Sequence, residues 1–214
     1  MLTVLVEGID GAGKTTLCGS LCGRLESLGR EANELPKLGH FLPCENTLEG
    51  FRHWLEATPL LEVNREMLRA SHERLKTAQN VPKHCTSIVD RGPATVYASC
   101  IARLRQQSRV SMDTAVEALQ SEIENWPLYP LTQHCTIYLS VLSLDLVKTR
   151  KPNEFTDAKY IEYLGLLNEA LKLSTSTAPG LIRFDAREDT DTLVSTLLIS
   201  NSAFGMRVTG NLEP

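Results

Sequence analysis

The sequence predicts an α/β domain built on one sheet of five parallel strands with helices on both faces. Three observations lead there. Short β-rich runs recur along the chain with helix-length stretches between them, and parallel pairing needs crossovers of that kind. A glycine-laced turn, VEGIDGAGKTT at residues 6–16, joins the first run to a helical pattern. The length, 214 residues, suits a single domain with one core.

The strand runs, in order, are LTVLVE (2–7), EANEL (31–35), CTSIVD (85–90), CTIYLSV (135–141) and GLIRFDA (180–186). Each is short, apolar or β-branched, and bounded by turn residues; EANEL carries the weakest pattern. Helical periodicity fills KTTLCGSLCGRLESLG (14–29, closed by Gly29), VNREMLRASHERLKTAQ (63–79), a stretch after Gly92-Pro93, MDTAVEALQSEIE (112–124) and TDAKYIEYLGLLNEALKL (156–173). No internal repeat interrupts this alternation. Residues 1–200 form the expected domain, and the tail NSAFGMRVTGNLEP (201–214), with two glycines, a proline and no period, is expected to be partly loose. Ligands should gather at the carboxyl ends of the strands.

Composition excludes several classes. Lys and Arg number 22 against 26 Asp and Glu, a formal charge of −4; a partner with a nucleic-acid backbone would call for a basic excess. The basic stretch RLRQQSR (103–109) reads as a solvated helix end. Six cysteines (Cys18, Cys22, Cys44, Cys85, Cys100, Cys135) show no metal spacing and read as reduced thiols of a cytoplasmic protein. Cys18 and Cys22, four apart, share a helix face and should pack on the sheet. No apolar stretch reaches the roughly 20 residues of a membrane span, and Met1 leads straight into LTVLVE without a basic leader, so a soluble protein with no membrane partner is expected.

Residues Gly8 to Thr15 fit GxxxxGK[ST] after a strand and at the head of a helix. Glycines let consecutive N–H groups curl round a phosphate, and the helix N-terminus adds its dipole. Lys14 would reach the β and γ phosphates and the Thr15 hydroxyl would ligate Mg²⁺. Gly8, Asp10, Gly11, Ala12, Gly13, Lys14, Thr15 and Thr16 are therefore the expected residues of an ATP or GTP site, with ATP and Mg²⁺ taken as the cofactors. An acid inside an anion-binding loop is costly unless it faces away from the phosphates, so Asp10 either meets a group on a second substrate or braces the turn.

A second charged corner lies in SIVDRGPATVYA. Asp90 at the end of its strand would face the metal or the attacking hydroxyl, and Arg91 would clamp a transferred or acceptor phosphate. The alternative is an Asp90–Arg91 ion pair with Asp90 capping the next helix. In VKTRKPNEF, Arg150 and Lys151 precede Pro152, and this segment, near 149–157, reads as a short lid able to close over phosphates.

These residues resemble the thymidylate kinase family of P-loop nucleotide kinases over roughly residues 2–200. EGIDGAGKTT is similar to the family's EGxDGxGKTT loop, VDRGPAT to its DR strand end, YLSVLSLDLVKTR to the approach to the lid, and RFDA to the strand whose following loop borders adenine. The resemblance implies a P-loop kinase fold, Lys14 and Thr15 as phosphate and metal ligands, Asp10 at the acceptor sugar's 3′-hydroxyl, and Arg91 on the acceptor phosphate. Ala12 stands where some members carry arginine; members without it take their catalytic arginine from the lid, which points to Arg150. Departures fall on the acceptor side. ADRxxH is replaced by Ala70-Ser71-His72-Glu73-Arg74, so His72 or Arg74 would have to stand in for the arginine. SxxAYQ is replaced by Thr95-Val96-Tyr97-Ala98-Ser99-Cys100, where cysteine lacks the paired hydrogen bonds of the base-contacting glutamine. The aromatic after DR is Gly92, and the lid's DR pair is Asn153-Glu154.

The expected activity is transfer of the γ-phosphoryl group of Mg·ATP to a nucleoside monophosphate, dTMP to dTDP first, with Lys14, Arg91, Asp90 and Arg150 as catalytic residues and Thr15 and Asp90 on the metal. Two other readings stay open: a kinase for a nucleoside or other alcohol, in which Asp90 or Glu7 takes the proton, and an ATP-binding regulatory protein without turnover. The partner is thus a small nucleotide or nucleoside, and a homodimer is left open. Tyr97 and Phe51 are candidates for stacking on an acceptor ring or for core, His134 for a strand edge, and Trp126 for a loop anchor. His72 and Arg74, two apart, point in different directions on a helix.

Overall fold

The computed structural model describes residues 2–123, 134–176, 178 and 180–200. The expectations for Trp126 and for the 201–214 tail lie outside the described residues.

β1 (Leu2–Glu7) is buried along its whole length, as an apolar run must be in the middle of a parallel sheet covered on both faces. Around it stand β2 (Ala32–Glu34), β3 (Thr86–Asp90), β4 (His134–Ser140) and β5 (Leu181–Asp185), all parallel, in the order β2-β3-β1-β4-β5. The five expected strands are present, β2 as a three-residue edge strand. Val6 lies in register with Asp90 on one side and Ile137 on the other, so β1 and β3 end within one residue of each other while β4 runs on to Ser140, past the partner of Glu7. Strand order reverses about β1, and that reversal opens a crevice at its carboxyl end.

The helices are α1 (Lys14–Ser27), α2 (Leu48–Ala57), α3 (Leu60–Gln79), α4 (Pro93–Ser108), α5 (Met112–Ile123), α6 (Asp145–Arg150), α7 (Ala158–Ser176) and α8 (Thr190–Ser200), with 3-10 turns at Leu38–Phe41 and Glu154–Thr156. α1 packs against β2, β3 and α8, while α4 packs against α3, α5 and α7. Val4, Val6, Ile88 and Ile137 of the sheet join Leu17, Leu21 and Leu25 of α1, Ile101 of α4 and Leu167 and Leu171 of α7 in one apolar core. Cys18 is buried in it with Cys22 at its edge, and no disulfide joins any of the six cysteines.

α2 and α8 have no counterpart among the helical patterns read from the sequence. α2 does carry a helical period, with Phe51, Trp54 and Leu55 set against the core, whereas α8 is marked by its cap alone. The Thr47 hydroxyl accepts the Gly50 N–H at 3.0 Å, and Asp189 Oδ2 accepts the Thr192 N–H at 3.0 Å, as N-caps do. α8 reads TDTLVSTLLIS, rich in β-branched residues and hydroxyls that favour helix weakly, so packing on α1 decides its conformation. Among the described residues no helix is long and apolar enough to cross a membrane.

Candidate active site

The glycine loop leaves β1 and enters α1 at the crevice. Gly8 donates its N–H to the Thr95 hydroxyl at 3.2 Å, and Ala12, buried, closes a turn onto the Ile9 carbonyl. Gly11 takes φ 78, and a Cβ there would lie 2.9 Å from Val147 Cγ1 of α6, so both its backbone and its neighbour require glycine. Gly13, at φ 99, is the N-cap of α1. With no side-chain cap on that helix, its first N–H groups keep their capacity for an anion. Thr15 and Thr16 are exposed in its first turn.

Lys14 is 5% exposed and donates from Nζ to the Ile9 carbonyl at 2.8 Å. Burial is the main cause that pulls its ammonium down to about 8; the nearby Arg91 charge adds to it, and Asp10, Asp90 and Glu7 oppose it. A cation so placed gains from any anion that enters the loop.

The Thr15 hydroxyl donates to Asp90 Oδ2 at 2.6 Å. Asp90 is 8% exposed, and its other oxygen, Oδ1, has no hydrogen-bond partner among the described residues. A buried carboxylate oxygen left unmet beside a threonine hydroxyl at a phosphate loop is the donor set that suits Mg²⁺, which takes one or two protein oxygens and fills its shell with phosphates and water. No group of three or more His, Cys, Asp or Glu is placed to hold a metal by itself among the described residues, so any ion here would be shared with a nucleotide.

Two buried charges hold the corner in shape. Glu7, 1% exposed, accepts the N–H groups of Ala94 (3.1 Å) and Thr95 (2.8 Å) and the Thr95 hydroxyl (2.5 Å). Glu7 therefore caps α4, the role that the sequence offered to Asp90. Burial pushes its carboxyl up against the pull of those bonds. A Cβ on Gly92 would come within 2.2 Å of Glu7 Oε1, which gives the physical reason for glycine after Asp90-Arg91. Walled in by the helix that it caps, Glu7 is not available to take a proton from an alcohol acceptor, and that reading is corrected. Arg74, 1% exposed, donates to the carbonyls of Asp90 (2.7 Å), Arg91 (3.2 Å) and Leu35 (3.4 Å). It staples β2 to β3 from beneath, so it cannot stand in for the displaced acceptor arginine.

Arg91 is held at φ 63, a left-handed conformation that costs a side chain with a Cβ about 1–3 kcal/mol. Its N–H bonds the Val6 carbonyl at 3.0 Å, and its guanidinium pairs with Asp10 at 2.6 Å while 43% exposed. Burial alone would raise the Asp10 carboxyl; Arg91 and Lys14 together hold it below the ordinary carboxylate value. The partner of Arg91 is thus Asp10 across the loop rather than its neighbour Asp90. From the end of α6, Arg150 donates to the carbonyls of Gly11 (3.0 Å) and Ala186 (2.9 Å), which sets it over the phosphate loop, while Lys151 pairs with Glu154 at 2.9 Å. Lys14, Thr15, Asp90, Asp10, Arg91 and Arg150 therefore converge on one crevice. Phe51 tilts against Trp54 with ring centroids 5.9 Å apart, and both rest on the core, as does Tyr97. Glu34, which the sequence reading passed over, ends β2 in register with Ile88, and so faces the same side of the sheet as Asp90. The signal was there, in a carboxylate at the carboxyl end of a strand.

No sequence-family model matches this chain, and no curated protein matches it. Solved structures do. Deoxyadenosine kinase from M. mycoides with the products dCMP and a flexible dCDP bound has a TM-score of 0.63 at 21% identity, over 96% of this chain and 100% of that one. The same enzyme with dATP gives 0.61 at 18% over 92% and 97%, and with dCTP 0.61 at 20% over 95% and 100%. These likenesses, nearly end to end, show that the chain has the P-loop fold of those deoxynucleoside kinases.

Proposed function

We propose that the chain is a P-loop kinase that moves the γ-phosphoryl group of Mg·ATP to a small nucleoside-class acceptor. One observation carries this: the unmet Asp90 oxygen beside the Thr15 hydroxyl, set between the phosphate loop and the Arg91 cation. Mg²⁺, held by the Thr15 hydroxyl and Asp90, would neutralise negative charge on the nucleotide's phosphates. The loop's amides and Lys14 hold the β and γ phosphates, Lys14 leaving the Ile9 carbonyl to do so. Arg150 would cover the loop from the lid. An acceptor oxygen attacks the γ-phosphorus, the bond to the β-phosphate oxygen breaks, and ADP departs. Little else is asked of the protein than position and charge.

The acceptor side favours a nucleoside monophosphate, with dTMP the first candidate. Arg91 is a half-exposed cation paired with Asp10 of the loop, a partner that an acceptor phosphate can replace. A phosphate acceptor is already ionised and needs no general base. A second reading, a deoxynucleoside acceptor, is favoured by the likeness to deoxyadenosine kinases and by Glu34, a carboxylate on the Asp90 face of the sheet that could take a hydroxyl proton. The test is a screen of deoxynucleosides, their monophosphates and simple alcohols with Mg·ATP, read by product mass. A gain of one phosphoryl group on monophosphates alone supports the first reading, gain on nucleosides alone moves the assignment to the second, and gain on neither class refutes the kinase. A cytoplasmic setting fits six cysteines without a disulfide.

A further inference from the structure

Arg91 keeps its left-handed backbone, φ 63, between segments that are tied down on both sides. A residue with a Cβ holds such a conformation only where its surroundings over-determine it, and strain of this kind gathers at working positions. Three consecutive residues, Val6, Glu7 and Gly8, supply the hold. The Val6 carbonyl accepts the N–H groups of Arg91 (3.0 Å) and Gly92 (3.3 Å). Glu7 accepts those of Ala94 and Thr95 together with the Thr95 hydroxyl. Gly8 then donates to that same hydroxyl, which takes the Gly8 N–H on a lone pair and gives its own proton to Glu7 Oε2. The corner that carries Arg91 is thus mounted on the root of the phosphate loop.

Capping α4 does not by itself call for this arrangement. An ordinary cap is a short polar side chain at the helix's own first position, and here that position is Gly92, which makes no side-chain cap bond. The cap comes instead from β1, through a carboxylate 1% exposed whose burial is costly and pushes its carboxyl up. What a distant cap adds is a rigid link between two segments. It also has a second effect. Pro93 has no N–H and Glu7 occupies those of Ala94 and Thr95, so the head of α4, unlike that of α1, has little left to offer an anion. A phosphate that arrives at this corner meets the Arg91 guanidinium rather than the helix end.

We propose that Glu7 is a positioning residue for phosphoryl transfer: through the Thr95 clasp it fixes the Arg91 guanidinium relative to the phosphate loop. This rests on the kinase reading above and deepens it. Donor and acceptor phosphates have to meet in line, and a displacement of about 1 Å between the groups that hold them costs on the order of 10²-fold in rate. Glu7 touches neither phosphate and acts through Arg91.

The test is a double-mutant cycle of Glu7→Gln and Arg91→Ala, on whichever deoxynucleoside or monophosphate the wild type phosphorylates best. In Glu7→Gln an amide N–H replaces one of the two oxygens that accept bonds. The expected result is a kcat/KM about tenfold lower in the Arg91 enzyme and less than about twofold lower in the Arg91→Ala background. A residue that only stabilised the fold would multiply the two losses. Thr95→Val, run in the same cycle, removes the hydroxyl and keeps the shape; it should cost about fivefold with Arg91 present and nothing without it, while Thr95→Ser stays within about twofold of wild type. This pair decides the matter where Glu7→Gln does not fold. Losses that multiply, a Glu7→Gln or Thr95→Val enzyme within about twofold of wild type, Thr95→Ser as slow as Thr95→Val, or Arg91→Ala within about threefold of wild type would each overturn the inference and leave the kinase standing. A wild type that phosphorylates no member of the panel overturns the kinase reading and this inference with it.

Discussion

Lys14 gives the site a pH dependence that can be worked through. Burial holds its ammonium at about 8 in the empty loop, and a triphosphate in the loop restores the charge's favourable surroundings and lifts that value. The empty protein then binds fewer protons than the complex at pH above about 8, so nucleotide binding takes up a proton there, and affinity falls as pH rises. With the empty-state value at about 8, Lys14 is about nine-tenths charged at pH 7 and about one-tenth charged at pH 9. Apparent affinity for Mg·ATP should therefore drop about tenfold between them, or about 1.4 kcal/mol. Titration calorimetry at pH 8 in two buffers of different ionisation enthalpy should read an uptake of about half a proton. Lys14→Arg supplies the control, because guanidinium stays charged throughout and leaves only the nucleotide's own titration. Affinity that is flat from pH 7 to 9, or the same slope in Lys14→Arg, would show that the ammonium does not meet the phosphates.

Three more perturbations separate the parts of the site. Arg91→Ala should cost on the order of 10²-fold in kcat/KM, as loss of a donor aimed at developing charge does; a change below threefold in the steady-state rate would leave Arg91 only the task of bracing Asp10. Asp90→Asn should raise the Mg²⁺ concentration for half-maximal rate on the order of tenfold or more, whereas an unaltered metal requirement would remove Asp90 from the ion. Gly92→Ala drives a methyl against the Glu7 carboxylate and strips the α4 cap; urea unfolding should show a loss of about 2–4 kcal/mol, and a loss under about 0.5 kcal/mol would mean that Glu7 has room to move.

Much of this was legible in the residues because it is local. The run of apolar residues in LTVLVE, the glycine turn after it and the period-3.6 stretches set the strands and most helices, and the loop's chemistry followed from its spacing. Asp90 and Arg91 could be placed near the loop once β3 was taken to lie beside β1, as it does. What stayed hidden depends on contacts between distant segments. Glu7 and Thr95 are 88 residues apart, and nothing in either stretch says that one caps the other. The same holds for Arg74, which reads as a helix-surface cation until three carbonyls from the ends of two strands are seen to converge on it. Asp10 and Arg91 each suggested a substrate contact, and their mutual ion pair appears only when the loop and the strand end are brought together. α8 stayed hidden because its β-branched sequence opposes helix locally and its packing on α1 overrides that.

Diffraction from crystals grown with Mg²⁺ and a non-hydrolysable ATP analogue bears on the account most directly. The account requires the β and γ phosphates inside the 8–15 loop, Lys14 Nζ moved from the Ile9 carbonyl onto them, and the ion between the Thr15 hydroxyl and Asp90. Nucleotide bound elsewhere, with Lys14 still on Ile9 and Thr15 still on Asp90, would contradict it.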